Sequence, residues 1–148
     1  MGKETSLIAL ALTLSFAATL PAADSAVIVN SGSTNTAGFR ISVDASGEAQ
    51  YTVTPRKSGP NLGEKPAAAQ RHISGDLVKR FYSDLDAAKP LASLPHPHCI
   101  KSASFGTRLT IEFGDSETPD LSCGDGENAK LHALIQDADE IVALFRAK

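Results

Sequence analysis

Between residues 39 and 54, in FRISVDASGEAQYTVT, apolar and polar positions alternate with a period of two. Phe39, Ile41 and Val43 fall on one face, and Ala49, Tyr51 and Val53 continue that face beyond a polar interruption at Asp44 to Gly47. A period of two belongs to a strand half-buried on one side. The Asp and Gly between the two runs supply turn chemistry, so the segment predicts a β-hairpin. The shorter apolar run AVIVN, at 26 to 30, predicts an additional edge strand. After it, NSGSTNTAG predicts a flexible polar loop.

The pattern then breaks. PRKSGPNLGEKPAAAQ, residues 55 to 70, holds three prolines and two glycines, which neither a helix nor a central strand tolerates. It predicts a long exposed loop, with Arg56 and Lys57 open to proteases. Its end overlaps AAQRHI, which predicts a short strand returning to the sheet. From Gly75 to Ala88 the period changes to helical, with Leu77, Val78, Phe81, Tyr82 and Leu85 forming one stripe. Ser74 stands at the N-cap and Asp76 in the first turn, where a carboxylate meets the positive end of the helix dipole. The helix must end before Pro90.

Alternation returns in SFGTRLTIEF, where Phe105, Thr107, Leu109, Ile111 and Phe113 are expected inward and Arg108, Thr110 and Glu112 outward. A turn at GDSETP leads to DLSC, expected to be a short partner strand. A final helix is predicted from Asn128 to Ala147. Leu131, Leu134, Ile135, Ala138, Ile141, Val142 and Phe145 make its apolar face, and Lys130, Gln136, Asp137, Asp139, Glu140 and Arg146 its solvated face. Hairpin, helix, hairpin, helix gives a repeated ββα order. The fold class expected is α+β, a two-layer sandwich with an antiparallel sheet and both helices on its single buried side. Arg40, Ser42, Gln50, Thr52, Arg108, Thr110 and Glu112 would line the outer face.

The first residues change the picture of where the chain works. Lys3 precedes an apolar run from Leu7 to Leu20, followed by Pro21 and small residues, the layout of a secretory leader. The run is 14 residues long, short of the roughly 20 that span a bilayer as a helix. Residues 1 to 25 are therefore expected to be cleaved, with the cut between 22 and 26. Residues 26 to 148 then form one domain, and stable membrane insertion after cleavage is not expected. The chain carries 14 basic and 17 acidic residues; losing Lys3, Glu4 and Asp24 leaves it near −2. Such a surface lacks the basic face that nucleic acid requires. The chain has no tryptophan and its aromatic content is 5%, so stacking platforms are few, Tyr51 and Tyr82 chief among them.

Cys99 and Cys123 are the two cysteines. An even count in an exported chain predicts a structural disulfide. A competing arrangement joins His96 and His98 to the thiolates around copper or zinc, because His-x-His on an extended segment places both imidazoles on one side. Pro97 between them, the missing paired-cysteine spacing and thiol oxidation weigh against it. A hydrolase could be assembled from Ser104, His98 and Asp120, since such triads are defined by geometry, yet neither Gly-x-Ser-x-Gly nor Ser-x-x-Lys occurs. The acidic group Asp115, Glu117, Asp120, Asp125 and Glu127 lacks the calcium-loop pattern. Arg40, Tyr51, Lys101 and Arg108 are the candidates for ligand contacts, and no cofactor is implied.

Gly38-Phe39-Arg40 at the hairpin, the capped helix, Cys-x-Lys-Ser-x-Ser-Phe-Gly at 99 to 106 and Pro-Asp-Leu-Ser-Cys at 119 to 123 together resemble small exported bacterial domains of unknown function. The resemblance runs from about residue 37 to 146 and carries no activity with it. The expectation is an exported, periplasmic or secreted, non-catalytic binding domain whose partner is an envelope protein, a peptide or a small ligand. The alternatives are a small hydrolase using His98 and Ser104, and copper or zinc binding through His96 and His98.

Overall fold

The computed structural model describes residues 25–54 and 68–146. Almost all of the expected leader, and residues 55–67 of the expected loop, lie outside them. The elements run β1 (Ala26–Asn30), β2 (Gly38–Val43), β3 (Glu48–Thr54), β4 (Ala68–His72), α1 (Gly75–Ala88), β5 (Leu109–Phe113), β6 (Ser116–Glu117) and α2 (Ala129–Arg146). Two 3₁₀ helices, Leu91–Ser93 and Leu121–Cys123, punctuate the second half. The six strands form one antiparallel sheet in the order β4-β3-β2-β1-β5-β6.

The predicted hairpin is β2–β3, with Ile41 opposite Tyr51 and Val43 opposite Ala49. Asp44 closes its turn by accepting from the N–H groups of Ser46 at 2.9 Å and Glu48 at 3.1 Å, while Gly47 takes a φ of 92°. The α+β class stands, but the element order differs from a repeated ββα, because four strands precede α1. AVIVN is not an edge. It is β1, paired with β2 on one side and β5 on the other. DLSC is not β5's partner strand either: that place goes to the two-residue β6, and Leu121–Cys123 turn as a 3₁₀ helix. The short strand expected in AAQRHI is β4, paired with β3, and it begins at Ala68, inside the range 55–70 expected as loop.

Both helices lie on the face carrying Ile28, Ile41 and Ile111, all fully buried. The Ser74 hydroxyl caps α1 by accepting from Leu77 N–H, and the Asn128 side chain caps α2 by accepting from Lys130 and Leu131. Phe81 and Leu85 from α1 and Leu131, Leu134 and Ile141 from α2 complete one continuous core. Tyr82 of α1 donates its hydroxyl to Val43 O at 2.7 Å and meets Phe113 edge-on at 5.7 Å, so α1 is keyed to the sheet by a polar tip as well as an apolar ring.

The opposite face of the sheet carries Arg40, Ser42, Gln50, Thr52, Thr110 and Glu112, as the alternation requires. Two assignments of side-chain direction fail. Phe105, expected inward, precedes β5 and is 69% exposed. Asp137, expected on the solvated face of α2, is 1% exposed and packed against α1.

Candidate functional site

The ends of β1, β2 and β5 bring two loops together at one end of the sheet: residues 31–37, and the segment from 94 to 108 that leads into β5. The Ser31 N–H donates to Arg108 O, and Arg108 N–H returns to the Ser31 hydroxyl, each at 2.9 Å. Farther out, the Ser104 carbonyl accepts from Asn35 N–H at 3.0 Å and from the Ser33 hydroxyl at 2.8 Å. Gly32 allows the first loop to fold this tightly. Its φ is 61°, and a Cβ there would lie 2.6 Å from Gly38 N, closer than any side chain tolerates. The polar loop expected at 30 to 38 is therefore tied to its neighbour by specific bonds, which fix its backbone.

The Cys99–Cys123 disulfide pins the second loop, with an S–S distance of 2.06 Å and Cα atoms 5.3 Å apart. Beside it stands an ionic cross-link. The Lys101 ammonium donates to Asp120 Oδ2 at 2.6 Å, to Thr107 O at 2.6 Å and to the Ser122 hydroxyl. The other Asp120 oxygen accepts from Leu109 N–H and Ser122 N–H, both at 3.1 Å. Burial pushes the Asp120 carboxyl up, but the bonds from Lys101, Ser122 and Leu109 together hold it below its ordinary 3.8. Lys101 and Ser122 are within reach of each other, as in a Ser–Lys pair. The Lys101 nitrogen is, however, already engaged by the Asp120 carboxylate and Thr107 O, so the contact with Ser122 is one bond of a structural cross-link and not an isolated Ser–Lys pair.

Around this anchored base, exposure alternates along the chain. His96, His98 and Ile100 are exposed, whereas Pro97, Cys99 and Lys101 turn inward, the alternation of an extended segment. Ile100 is 99% exposed, and Phe105 follows five positions on. His98 has no hydrogen bond to Ser104 or Asp120 among the described residues. Ser104 engages through its backbone, and Asp120 is committed to Lys101, Ser122 and Leu109. The three groups of the expected triad thus share one end of the molecule without the contacts a triad uses. Among the described residues no three His, Cys, Asp or Glu side chains gather as metal ligands, and both sulfurs are spent in the bridge.

The remaining ligand candidates separate by face. Arg40 makes a two-pronged pair with Glu112, at 3.2 and 2.5 Å, bridging over β1 on the open face. Tyr51 is on the helix side, stacked between Phe39 at 5.5 Å and Phe145 at 5.4 Å, where its ring is core material. Lys101 is an internal cross-link. Arg108 is exposed beside the loop junction, its guanidinium without a bonded partner among the described residues. Ile100 was legible in principle. Once Cys99 and Lys101 both point inward, the residue between them must point out. A comparison with known proteins finds no family model that matches the chain and no curated protein similar to it in sequence.

Proposed function

We propose that the protein is an exported, non-catalytic binding domain that engages a partner polypeptide of the cell envelope through the anchored end of its sheet. Ile100 and Phe105 supply the apolar contacts and the exposed Arg108 a cation with no bonded partner among the described residues. The observation that carries this reading is the 99% exposure of Ile100 on a segment held by a disulfide and a lysine–aspartate cross-link on either side of it. Leaving an isoleucine in water forgoes roughly 1.5–3 kcal/mol of burial. Fixing the backbone beneath it lowers the ordering cost of binding, which favours recognition by a preformed surface. The disulfide points to a non-reducing compartment, and the leader read at 1 to 25 and the resemblance to exported bacterial domains agree with it. No helix among the described residues is long and apolar enough to cross a membrane.

The test is site-specific photocrosslinking in intact cells that express the full chain. A crosslinker at position 100 or 105 is expected to trap the same discrete partner, while one at the exposed Lys79 on α1 traps nothing. No adduct from either loop position, or equal adducts from all three, would overturn the proposal. A parallel screen for esterase and peptidase activity is expected to find the wild type and His98→Ala equally inert. Activity that His98→Ala abolishes would support the hydrolase instead.

A further inference from the structure

β4 is a five-residue strand at the rim of the sheet, and all five of its residues are exposed. The register fixes which backbone groups it offers. Ile73 N–H donates to Gly47 O at 2.8 Å, and Arg71 lies opposite Ala49 and Ala69 opposite Tyr51. On the other side of β3, Asp44 N–H donates to Glu48 O at 3.1 Å, so Glu48, Gln50 and Thr52 turn their backbone toward β2, leaving Ala49 and Tyr51 to bond β4. Alternation then leaves the N–H and C=O groups of Ala68, Gln70 and His72 pointing away from the sheet. Such a row of unpaired groups templates another strand unless it is blocked. Among the described residues none covers it.

We infer that this edge pairs with β4 of a second copy of the chain, antiparallel about a two-fold axis through Gln70. The sequence AAQRH is complementary to itself in that register. Gln70 meets Gln70 of the partner subunit, Ala68 meets the partner's His72 and Ala69 meets the partner's Arg71. On either side of the central Gln70 pair a large side chain faces a small one, and no like charges stand directly opposite, the arrangement that would otherwise destabilise a strand pair. The three outward-facing residues of each copy fall in register as hydrogen-bonded pairs. On the open face Gln50 lies opposite Gln70 within one chain, so pairing extends the amides into a ladder of Gln50, Gln70 and their two symmetry mates. A shallow depression of about 280 Å³ lined by Gln50, Tyr51, Thr52, Ala68, Ala69 and Gln70 lies beside the junction. The product is a continuous sheet of twice the six strands, with all helices on one side and the anchored loop ends facing outward at both extremities.

A five-residue strand pair is a small contact, below the roughly 1,200 Å² of stable interfaces, so the dimer is reversible with concentration. Sedimentation of the full-length mature protein between about 1 μM and 1 mM tests it. The wild type is expected to rise toward twice the monomer mass. Ala69→Arg places a guanidinium opposite the partner's Arg71 and is expected to remain monomeric across the range, with its circular dichroism and melting temperature unchanged. Adding Arg71→Glu to Ala69→Arg restores an attractive pair and is expected to restore the mass increase. A wild type that stays monomeric throughout, or an Ala69→Arg variant that associates as the wild type does, would overturn the inference.

Discussion

Asp137 sits between the two helices, its Oδ1 accepting from Arg80 Nε at 2.6 Å and its Oδ2 without a geometric hydrogen-bond partner among the described residues. Arg80 also reaches Glu140 on α2, and Asp84 of α1 faces the buried carboxyl. Burial raises the Asp137 pKa above 3.8; Arg80 opposes the rise and Asp84 adds to it. The folded state therefore holds this proton to higher pH than the unfolded chain does. Its stabilising effect is greatest at low pH and declines as pH climbs from 3.8 through the raised value. Asp44 and Asp120, held below 3.8, act in the opposite sense: their contribution is complete above 3.8 and is lost as pH falls through their lowered values. Asp137→Asn can still accept from Arg80 while its amide donates toward Asp84. Thermal melts are expected to show that it removes the decline above pH 3.8 while keeping the acid limb. An unchanged pH profile would show that Asp137 is ionised at no cost. At the cross-link, Lys101→Met strands a carboxylate whose side chain is 17% exposed, and urea denaturation is expected to register a loss of about 2 kcal/mol. The Asp137 burial was hard to read because polarity spoke against it. Yet it falls three positions after Leu134 and four before Ile141, within the stripe those residues define, and position on the helix outweighed residue type once Arg80 could reach it.

β1 shows what period reading detects and what it misses. Ala26 and Ile28 are fully buried on the helix side, while Val27 and Val29 are half-buried on the other face, lying below the Arg40–Glu112 pair. A strand apolar on both faces is the mark of an interior position, so the continuous run AVIVN held the signal. Its partner across the sheet, β5, lies some eighty residues later in the chain, and a pairing so distant leaves no local trace. The hairpin and both helices were legible because each rests on a period within one short window. The path of DLSC was not, since Asp120 caps a 3₁₀ turn through Ser122 N–H where an extended strand had been expected. Centrality has an energetic consequence. Ile28→Ala is expected to cost about 3–4 kcal/mol by cavity formation, and Val29→Ala about 1 kcal/mol. Equal losses in urea denaturation would mean that β1 does not have one buried and one open face.

At the scale of the whole molecule, the sheet and helices form a frame with one specialised end. The core and the caps account for the frame. The loops at 31–37 and 94–108 are fixed by hydrogen bonds between them, by Lys101 with Asp120 and by the disulfide, and together they hold Ile100 and Phe105 in solvent. The bridge was the most legible part of this site, because two cysteines in a chain whose first residues read as an export leader leave few other expected outcomes. The loop contacts were not, since Ser, Asn and Gly carry no periodicity and their bonds join residues about seventy positions apart. Joining cysteines 24 positions apart removes unfolded-state freedom equivalent to about 3.5 kcal/mol, so Cys99→Ala with Cys123→Ala is expected to fold with that loss and with a loosened 94–108 segment. The central claim is an oxidised, rigid end, and it is tested most directly by mass spectrometry of protein isolated from its native host under alkylating conditions. No alkyl group is expected before reduction and two after it. Two alkyl groups on the unreduced protein would contradict the account.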